Sequence, residues 1–368
     1  MASNVYFANL RARSVNDNKI NKIKRLFEAA GLGDLISEND LTAIKLHFGE
    51  RGSDGFINPV FVRQIVDKIK HAGGKPFVTD TNTLYYGERH NAVDHMITAI
   101  EHGFNYAVIG APIIISDGIK SHNITEVEIN RKHFSKVKIA SDIVNADSMI
   151  VMSHFKGHEL AGFGGAVKNL AMGCAPAKGK RDQHSPRPFV LVENCRACSR
   201  CVKICPAKAI KIESKNARID KNHCIGCCEC LSICPFRVIE IDWTTEIVPF
   251  MERMTEYAFG AATTKQNKIG YINFLMNITP DCDCLPFSDS AIVPDIGILA
   301  SKDPIAIDKA SYDLVNKQIG FDNSTLSCNH ESGYDKFKGM RNYTEGFVQI
   351  EYGEKIGLGS TDYNLIEI

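Results

Sequence analysis

The sequence predicts an α/β protein with a mostly parallel sheet and flanking helices, interrupted by a small cysteine-rich α+β insert. Three observations in the 368 residues support this prediction. Strand and helix patterns alternate over the first 150 residues, which is typical of parallel sheets. Most of the 13 cysteines then cluster in one block, and the α/β pattern resumes after it.

The elements of the first part follow from apolar periodicity and from helix-capping residues. Short apolar runs predict strands at residues 5–10, 41–48, 76–80, 106–109 and 148–155. Helical periodicity predicts helices at residues 17–30, 59–72, 92–102 and about 165–172. Asn58 is a suitable N-cap for the second helix, and Gly73 and Gly74 end it.

The chain divides into three predicted segments: a host domain at residues 1–185, an insert at 186–243, and the rest of the host at 244–368. Residues 178–188 are basic and contain two prolines, so they are predicted to be a linker. After the insert, the pattern predicts a helix at 251–262, a strand at 269–276 and a helix at 303–319. It places no element in the tail, residues 343–368.

Composition excludes several classes of protein. The 43 basic and 43 acidic residues give zero net charge, which argues against a general nucleic-acid binder. The 44% hydrophobic and 23% charged residues are ordinary for a globular chain. No apolar run reaches the roughly 18 residues that span a bilayer, and residues 1–11 do not read as a signal peptide. We therefore expect a cytoplasmic protein, where clustered cysteines indicate metal or redox chemistry.

The insert contains two matching cysteine runs, each of the form C-x2-C-x2-C-x3-C-P. This spacing is typical of modules that bind two [4Fe–4S] clusters, in which the fourth cysteine of each run binds the other cluster. The predicted ligands of the first cluster are Cys195, Cys198, Cys201 and Cys234. Those of the second are Cys224, Cys227, Cys230 and Cys205. The insert resembles a two-cluster bacterial-type ferredoxin, and a pair of zinc sites is the alternative.

A second candidate site lies in the host, in a glycine-rich segment that follows an apolar strand. Its glycines permit a sharp turn and leave backbone N–H groups able to face an anion. The predicted cofactor-binding residues are Gly162, Gly164, Gly165, Lys168 and Asn169. The predicted catalytic residues are Lys45, His154, Lys156, His158 and Lys168. The alternative is a tight strand-to-helix turn with polar residues facing solvent.

The sequence Asp281-Cys282-Asp283-Cys284 is a third candidate, just after another predicted strand. In an extended chain, Cys282 and Cys284 would lie on one side, where two thiolates bind a soft metal. A redox pair and two buried small side chains are the alternatives. Because ligands of open α/β sheets gather at the carboxyl ends of strands, Lys45, His47 and Asp80 are expected near the same place.

Four host segments together resemble the domain of unknown function 362 family, whose members often carry a two-cluster ferredoxin module. They are IKLHFGE at 44–50, HFKGHELAGFGGAVKNLAMG at 154–173, DCDC at 281–284 and SKDPIAIDKASYDLVN at 301–316. The resemblance implies an iron–sulfur protein of anaerobic metabolism. Residues 158–168 are also similar to the cofactor segment of the nickel-pincer lactate racemase. In that family a lysine holds the pincer covalently, and Lys168 is the matching residue.

These signals predict a redox protein that passes electrons through two [4Fe–4S] clusters to a host site. That site would hold a third metal centre or an anionic substrate, and the protein, if an enzyme, would be an iron–sulfur oxidoreductase. The insert has ten Lys or Arg and six Asp or Glu, a net charge of +4 against −4 elsewhere. This difference favours docking to its own host or to an acidic redox partner. The alternatives are a non-catalytic electron or metal carrier for a partner enzyme, and a pincer-type isomerase.

Overall fold

A computed structural model describes residues 2–85, 87–185, 187–205, 207–221, 223–224, 229–242 and 246–368. Within these ranges the strands are β1 (Ser3–Asn9), β2 (Leu41–Lys45), β3 (Lys75–Asp80), β4 (Ile113–Ile115), β5 (Ile124–Glu128), β6 (Lys136–Ala140), β7 (Ser148–His154), β8 (Lys156–His158), β9 (Gly162–Gly164), β10 (Arg187–Val190), β11 (Ile210–Glu213), β12 (Asn216–Ile219), β13 (Ile239–Asp242), β14 (Ile269–Leu275), β15 (Gly297–Ser301) and β16 (Tyr363–Glu367).

The helices over the same ranges are α1 (Lys19–Ala29), α2 (Pro59–His71), α3 (Ala92–Glu101), α4 (Tyr106–Ile109), α5 (Ser141–Asn145), α6 (Ala166–Cys174), α7 (Ala177–His184), α8 (Arg200–Ile204), α9 (Glu229–Ile233), α10 (Ile247–Thr263), α11 (Pro304–Asn316), α12 (Lys336–Met340) and α13 (Val348–Lys355). Asn58 caps α2 as predicted, since its side chain accepts a hydrogen bond from the backbone N–H of Val60. No helix formed by the described residues is long and apolar enough to cross a membrane.

One sheet of eight strands organises the host, in the order β16-β1-β15-β14-β7-β2-β3-β4. The five strands from β14 to β4 are parallel neighbours, while β15 is antiparallel to both β14 and β1. The prediction of a mostly parallel α/β sheet is therefore confirmed. The carboxyl ends of β14, β7, β2, β3 and β4 consequently lie along one edge of the sheet, where ligand sites of such sheets form.

Helices cover both faces of the sheet, so its central strands are apolar on both sides. Along β7, Met149 and Val151 contribute to the core on the face covered by α6, α10 and α11. Ile150 and Met152 alternate with them and contribute to the other core, beneath α1 and α2. All seven residues of β7 are buried, which anchors the loops that leave its carboxyl end.

Two local predictions were wrong. Residues 106–109 form the short helix α4 instead of a strand, because the Asn105 side chain caps its first turn and Gly110 ends it with φ +73°. Most of the predicted linker at 178–188 is helical: α7 buries Gly179 and Gln183 against the host. The unplaced tail contains α13 and the edge strand β16, which pairs in parallel with β1.

The insert consists of two strand–helix–strand halves, in agreement with an α+β module. The first strand of the insert, β10, pairs with the last, β13, and both are antiparallel. The two middle strands, β11 and β12, form a second antiparallel pair. Its small core includes Cys201, Cys230, Ile210, Ala217 and Val238. The boundaries at residues 186 and 243 lie outside the described residues and stay predictions.

Asp308 ties the two parts of the host together across the insert. Its buried carboxylate accepts the N–H groups of Ala166 (2.7 Å) and Val167 (2.9 Å) at the start of α6, and the side-chain amide of Asn273 (2.8 Å). Burial raises the pKa of Asp308 to about 6, so the group is ionised at neutral pH. Its charge faces the positive end of the α6 dipole, which is stabilising.

We therefore expect Asp308→Ala to lower the free energy of unfolding by about 3 kcal/mol, since it leaves buried donors without an acceptor. Urea unfolding followed by circular dichroism measures the change. Asp322→Ala is the control, because that carboxylate is fully exposed, and its effect should stay within about 0.5 kcal/mol. Equal effects of the two substitutions would show that Asp308 does not anchor α6.

Candidate functional site

The carboxyl ends of β2 and β3 bring two predicted residues into contact. Lys45 Nζ lies 2.9 Å from Asp80 Oδ1, and both side chains are buried. Lys45 also donates to Asn169 Oδ1 at 2.8 Å, so Asn169 positions Lys45 and is itself bound to the backbone of Met152. A buried ion pair of this kind needs such additional hydrogen bonds to offset desolvation.

Asp283, in the loop after β14, is held between His154, the last residue of β7, and Lys156, the first residue of β8. Its carboxylate lies 3.1 Å from His154 Nδ1 and 2.7 Å from Lys156 Nζ. Burial alone would raise the pKa of Asp283, but the charges of His154 and Lys156 outweigh it and hold the pKa well below its usual range. We call these three residues the Asp283 clamp.

His154 contacts acceptor groups through both of its ring nitrogens. Its Nε2 faces the carbonyl oxygens of Met276 (3.0 Å) and Asn277 (2.9 Å), while Nδ1 faces Asp283. These contacts hold the ring between the backbone after β14 and the Asp283 carboxylate. His154 and Lys156, predicted as catalytic, contact Asp283 and line a small cavity of about 60 Å³ together with the predicted residues Gly164, Gly165, Lys168 and Asn169. They do not line the cavity of about 360 Å³ described below.

Cys282 and Cys284 flank Asp283, and the clamp sets their position. Cys282 Sγ accepts from Lys168 Nζ at 3.5 Å and from the backbone N–H of Cys284 at 3.4 Å. The thiol of Cys284, together with Lys168 and His158, overcomes burial and lowers the pKa of Cys282 well below its usual value. The same contact raises the pKa of Cys284. Of the two thiols, Cys282 is therefore the one that loses its proton more readily.

His158 completes this group. Its Nδ1 accepts the backbone N–H groups of Leu160 (3.1 Å) and Ala161 (3.0 Å), so the proton of the neutral ring resides on Nε2. One ligand atom from each of His158, Cys282 and Cys284 lies within 4.8 Å of the other two. The two sequence segments that carried the candidate residues, 154–169 and 281–284, thus meet at one point.

These residues line a cavity of about 360 Å³, within the size range of small-molecule sites. Of the predicted site residues, His158, Lys168, Cys282 and Cys284 line it, together with His47 and Asp80 from the neighbouring strands. Sequence reasoning missed further polar residues of its wall, which are Tyr85, Arg89, Glu159, Lys180 and His184.

Apart from Glu159, which adjoins His158 in the glycine-rich segment, the missed residues come from segments without a recognisable motif. Arg89 is buried and contacts Tyr85 Oη (2.6 Å), His47 Nε2 (3.0 Å) and Glu50 Oε2 (3.3 Å). Lys180 and His184 lie on α7, in the stretch predicted as a linker. Burial lowers the pKa of Lys180 to about 8 and that of His184 to about 3. Their i, i+4 spacing on one helix face is the signal that could have found them.

The glycine-rich segment also serves packing within the host, and its predicted role in cofactor binding stays a prediction. The N–H groups of Ala166 and Val167, at the start of α6, are bound by the Asp308 carboxylate. A Cβ on Gly165 would lie 2.3 Å from that carboxylate, and one on Gly162 would lie 2.9 Å from Gly346. Gly162 and Gly165 therefore permit close packing, while Gly164 packs beside the Lys168 side chain.

A separate cavity in the insert is lined by four cysteines, Cys195, Cys198, Cys201 and Cys234. Backbone N–H groups reach two of the cysteine sulfurs of the insert: Ala217 to Cys195 and Ala209 to Cys205, each at 3.3 Å. Cys205, Cys224 and Cys230 also lie in the described residues. Cys227, the remaining predicted ligand, and its neighbour Cys228, which is not a predicted ligand, lie outside them.

We compared the chain with curated proteins, with solved structures and with protein-family models. No curated protein matches the chain. Among solved structures, it is similar to the lactate racemase apoprotein from Thermoanaerobacterium thermosaccharolyticum, with 14% identity and a TM-score of 0.39 over 74% of this chain and 50% of that one. A protein from Thermotoga maritima matches with 10% identity and a TM-score of 0.32 over 78% and 57%. The chain thus spans little more than half the length of these structures.

A family model described as a domain of unknown function (DUF362) matches residues 42–313. This match covers most of the chain, including every host segment of the candidate site, and it agrees with the resemblance noted from the sequence. The chain belongs to the DUF362 family.

Proposed function

We propose that this protein is an iron–sulfur redox protein, with two [4Fe–4S] clusters in the insert and a small-molecule site in the host cavity. One observation carries the proposal: Cys195, Cys198, Cys201 and Cys234 line a single cavity. Three of them come from the first cysteine run and the fourth from the second. This is the exchange of ligands that the doubled motif predicts for a two-cluster module.

The surroundings of these sulfurs suit cluster binding. The N–H groups of Ala217 and Ala209 point at cysteine sulfurs, and such bonds stabilise ligating thiolates and tune cluster potentials. Cys201 and Cys230 are buried in the core of the insert, away from solvent. When bound, [4Fe–4S] clusters supply one-electron carriers. The net charge of +4 on the insert supports docking of an acidic redox partner.

The host cavity has the groups needed to bind and orient a small anionic molecule. Lys168 donates to Cys282 at 3.5 Å and has further N–H groups for a ligand. Asp80 lines the same cavity, and its buried Oδ2 has no hydrogen-bond partner, so a hydroxyl or amine of the ligand would satisfy it. His158 presents Nε2 from the wall. Binding of the ligand would exclude water from these charges and strengthen their contacts.

Two alternatives are less well supported by this geometry. A metal carrier needs thiols that a partner protein reaches, but Cys282 is only 3% exposed. A pincer-type isomerase needs a covalent bond to Lys168, whose ammonium here holds the Cys282 thiolate. Peptide mass spectrometry of the purified protein distinguishes the second case, since only the isomerase requires a modified Lys168.

For the clusters, we expect Cys198→Ala to lower the iron content from about eight to about four atoms per chain and to remove about half of the brown absorbance. Iron and sulfide analysis after anaerobic purification measures this. Cys328→Ala, which removes an exposed cysteine of the host, should leave both quantities unchanged. Full iron content in Cys198→Ala would refute the ligand assignment.

For the host, we expect Asp283→Ala to lower the free energy of unfolding by about 3–5 kcal/mol, because it leaves the buried ammonium of Lys156 unpaired and removes the acceptor beside His154. Asp281→Ala is the matched control in the same motif. Asp281 contacts Arg341 at a partly exposed position, so its loss should cost about 1 kcal/mol or less. Denaturant unfolding at constant pH compares them, and an equal loss would contradict the central role of the Asp283 clamp.

A further inference from the structure

We propose that the host cavity also holds one mononuclear divalent metal ion, bound by His158, Cys282 and Cys284. This site is separate from the clusters of the insert and does not depend on them. The three ligand atoms lie within 4.8 Å of one another, although they come from the loops after two different strands. Ligand atoms around one tetrahedral ion lie roughly 3.5 Å apart, so a small closure of the group would suffice.

The donor set selects the class of metal. Two thiolate sulfurs and one imidazole nitrogen are the ligands preferred by Zn²⁺ and by other borderline or soft ions of similar size. Hard cations such as Mg²⁺ and Ca²⁺ bind oxygen instead. We therefore assign the site to Zn²⁺ or a transition metal of the same preference.

His158 is oriented for this role. Its Nδ1 is occupied by the N–H groups of Leu160 and Ala161, which leaves Nε2 as the nitrogen available to a metal. The two amides hold the ring plane in place, as hydrogen bonds around metal-binding histidines do. A metal ion would therefore bind His158 through Nε2.

The charges around the three ligands favour binding of a divalent cation. Once both cysteines ligate, they contribute two negative charges, and the nearest cation is Lys168, 3.5 Å from Cys282. Asp283 is neutralised by its own clamp and offers no competing ligand to the cavity. The carboxylate of Glu159, whose Oε1 lies 3.5 Å from His158 Nε2, adds a third negative charge. A divalent ion would therefore bring the group of two thiolates, Glu159 and Lys168 close to neutrality, which lowers the cost of its burial.

The fourth coordination position would face the cavity. Three protein ligands with one open position are typical of catalytic metal sites, whereas structural sites are closed by four. Glu159 adjoins this position: its Oε1 lies 3.5 Å from His158 Nε2, and its buried Oε2 has no hydrogen-bond partner. This carboxylate would accept a proton from a water or ligand molecule bound to the metal.

To test the proposal, the anaerobically purified holoprotein is incubated with Zn²⁺, and free metal is removed by desalting. Zinc and iron per chain are then measured. We expect about one zinc ion per chain, with two sulfur ligands near 2.3 Å and nitrogen or oxygen near 2.0–2.1 Å by X-ray absorption. An environment of four sulfurs would place the zinc in the insert instead and would overturn the proposal.

Variants locate the ion. The double variant Cys282→Ser/Cys284→Ser should lose the zinc and keep its iron, while Cys328→Ser should keep both. Zinc retained by the double variant would overturn the assignment. His158→Gln tests the third ligand without touching the thiols, and we expect it to release zinc to a chelator at least about tenfold more readily. If His158→Gln retains zinc as tightly as the unmodified protein, His158 is not a ligand.

Failure of the iron–sulfur proposal would appear separately, as the absence of iron from the purified protein.

Discussion

Asp283 bears a negative charge in the interior of the host, and the arrangement of the candidate site depends on how that charge is compensated. His154 contacts its carboxylate from the end of β7 and Lys156 from the start of β8, while Asp283 itself lies in the loop after β14. The ion pairs therefore connect two neighbouring parallel strands just beyond their carboxyl ends. Because Cys282 and Cys284 adjoin Asp283 in the chain, the same contacts hold both thiols against Lys168 and His158.

The same edge of the sheet collects other buried charges, and they are paired in an orderly way. Lys45 forms an ion pair with Asp80, and Arg89 forms one with Glu50. The carboxylate of Asp308 accepts a backbone N–H group at the start of α6. Each pair joins residues that are far apart in the chain. Such pairs are costly to desolvate and contribute little net stability, but they specify how the loops around the cavity are arranged.

Host and insert offer different groups for chemistry. The insert contributes cysteine sulfurs in a small core of its own. The host contributes a cavity with cationic side chains, two thiols and a carboxylate oxygen of Asp80 that accepts no hydrogen bond. Residues 186–243 separate Lys168 from Cys282 in the sequence, yet the two side chains touch. The insertion thus leaves the host site intact, because α6, β7 and β14 still pack together.

Local signals in the sequence determined the alternation of strands and helices, the cysteine runs, and the motifs around Lys45, His158, Lys168 and Cys282, since each depends on residue types at short spacing. The same local reasoning failed at α4, where one capping side chain converted an apolar run into a helix. It failed again at α7, whose burial against the host gave a basic segment a place in the cavity wall. The partners of His154, Lys156 and the amides of α6 were decided only by the tertiary structure, because Asp283 and Asp308 reach them through long-range packing that no short spacing encodes.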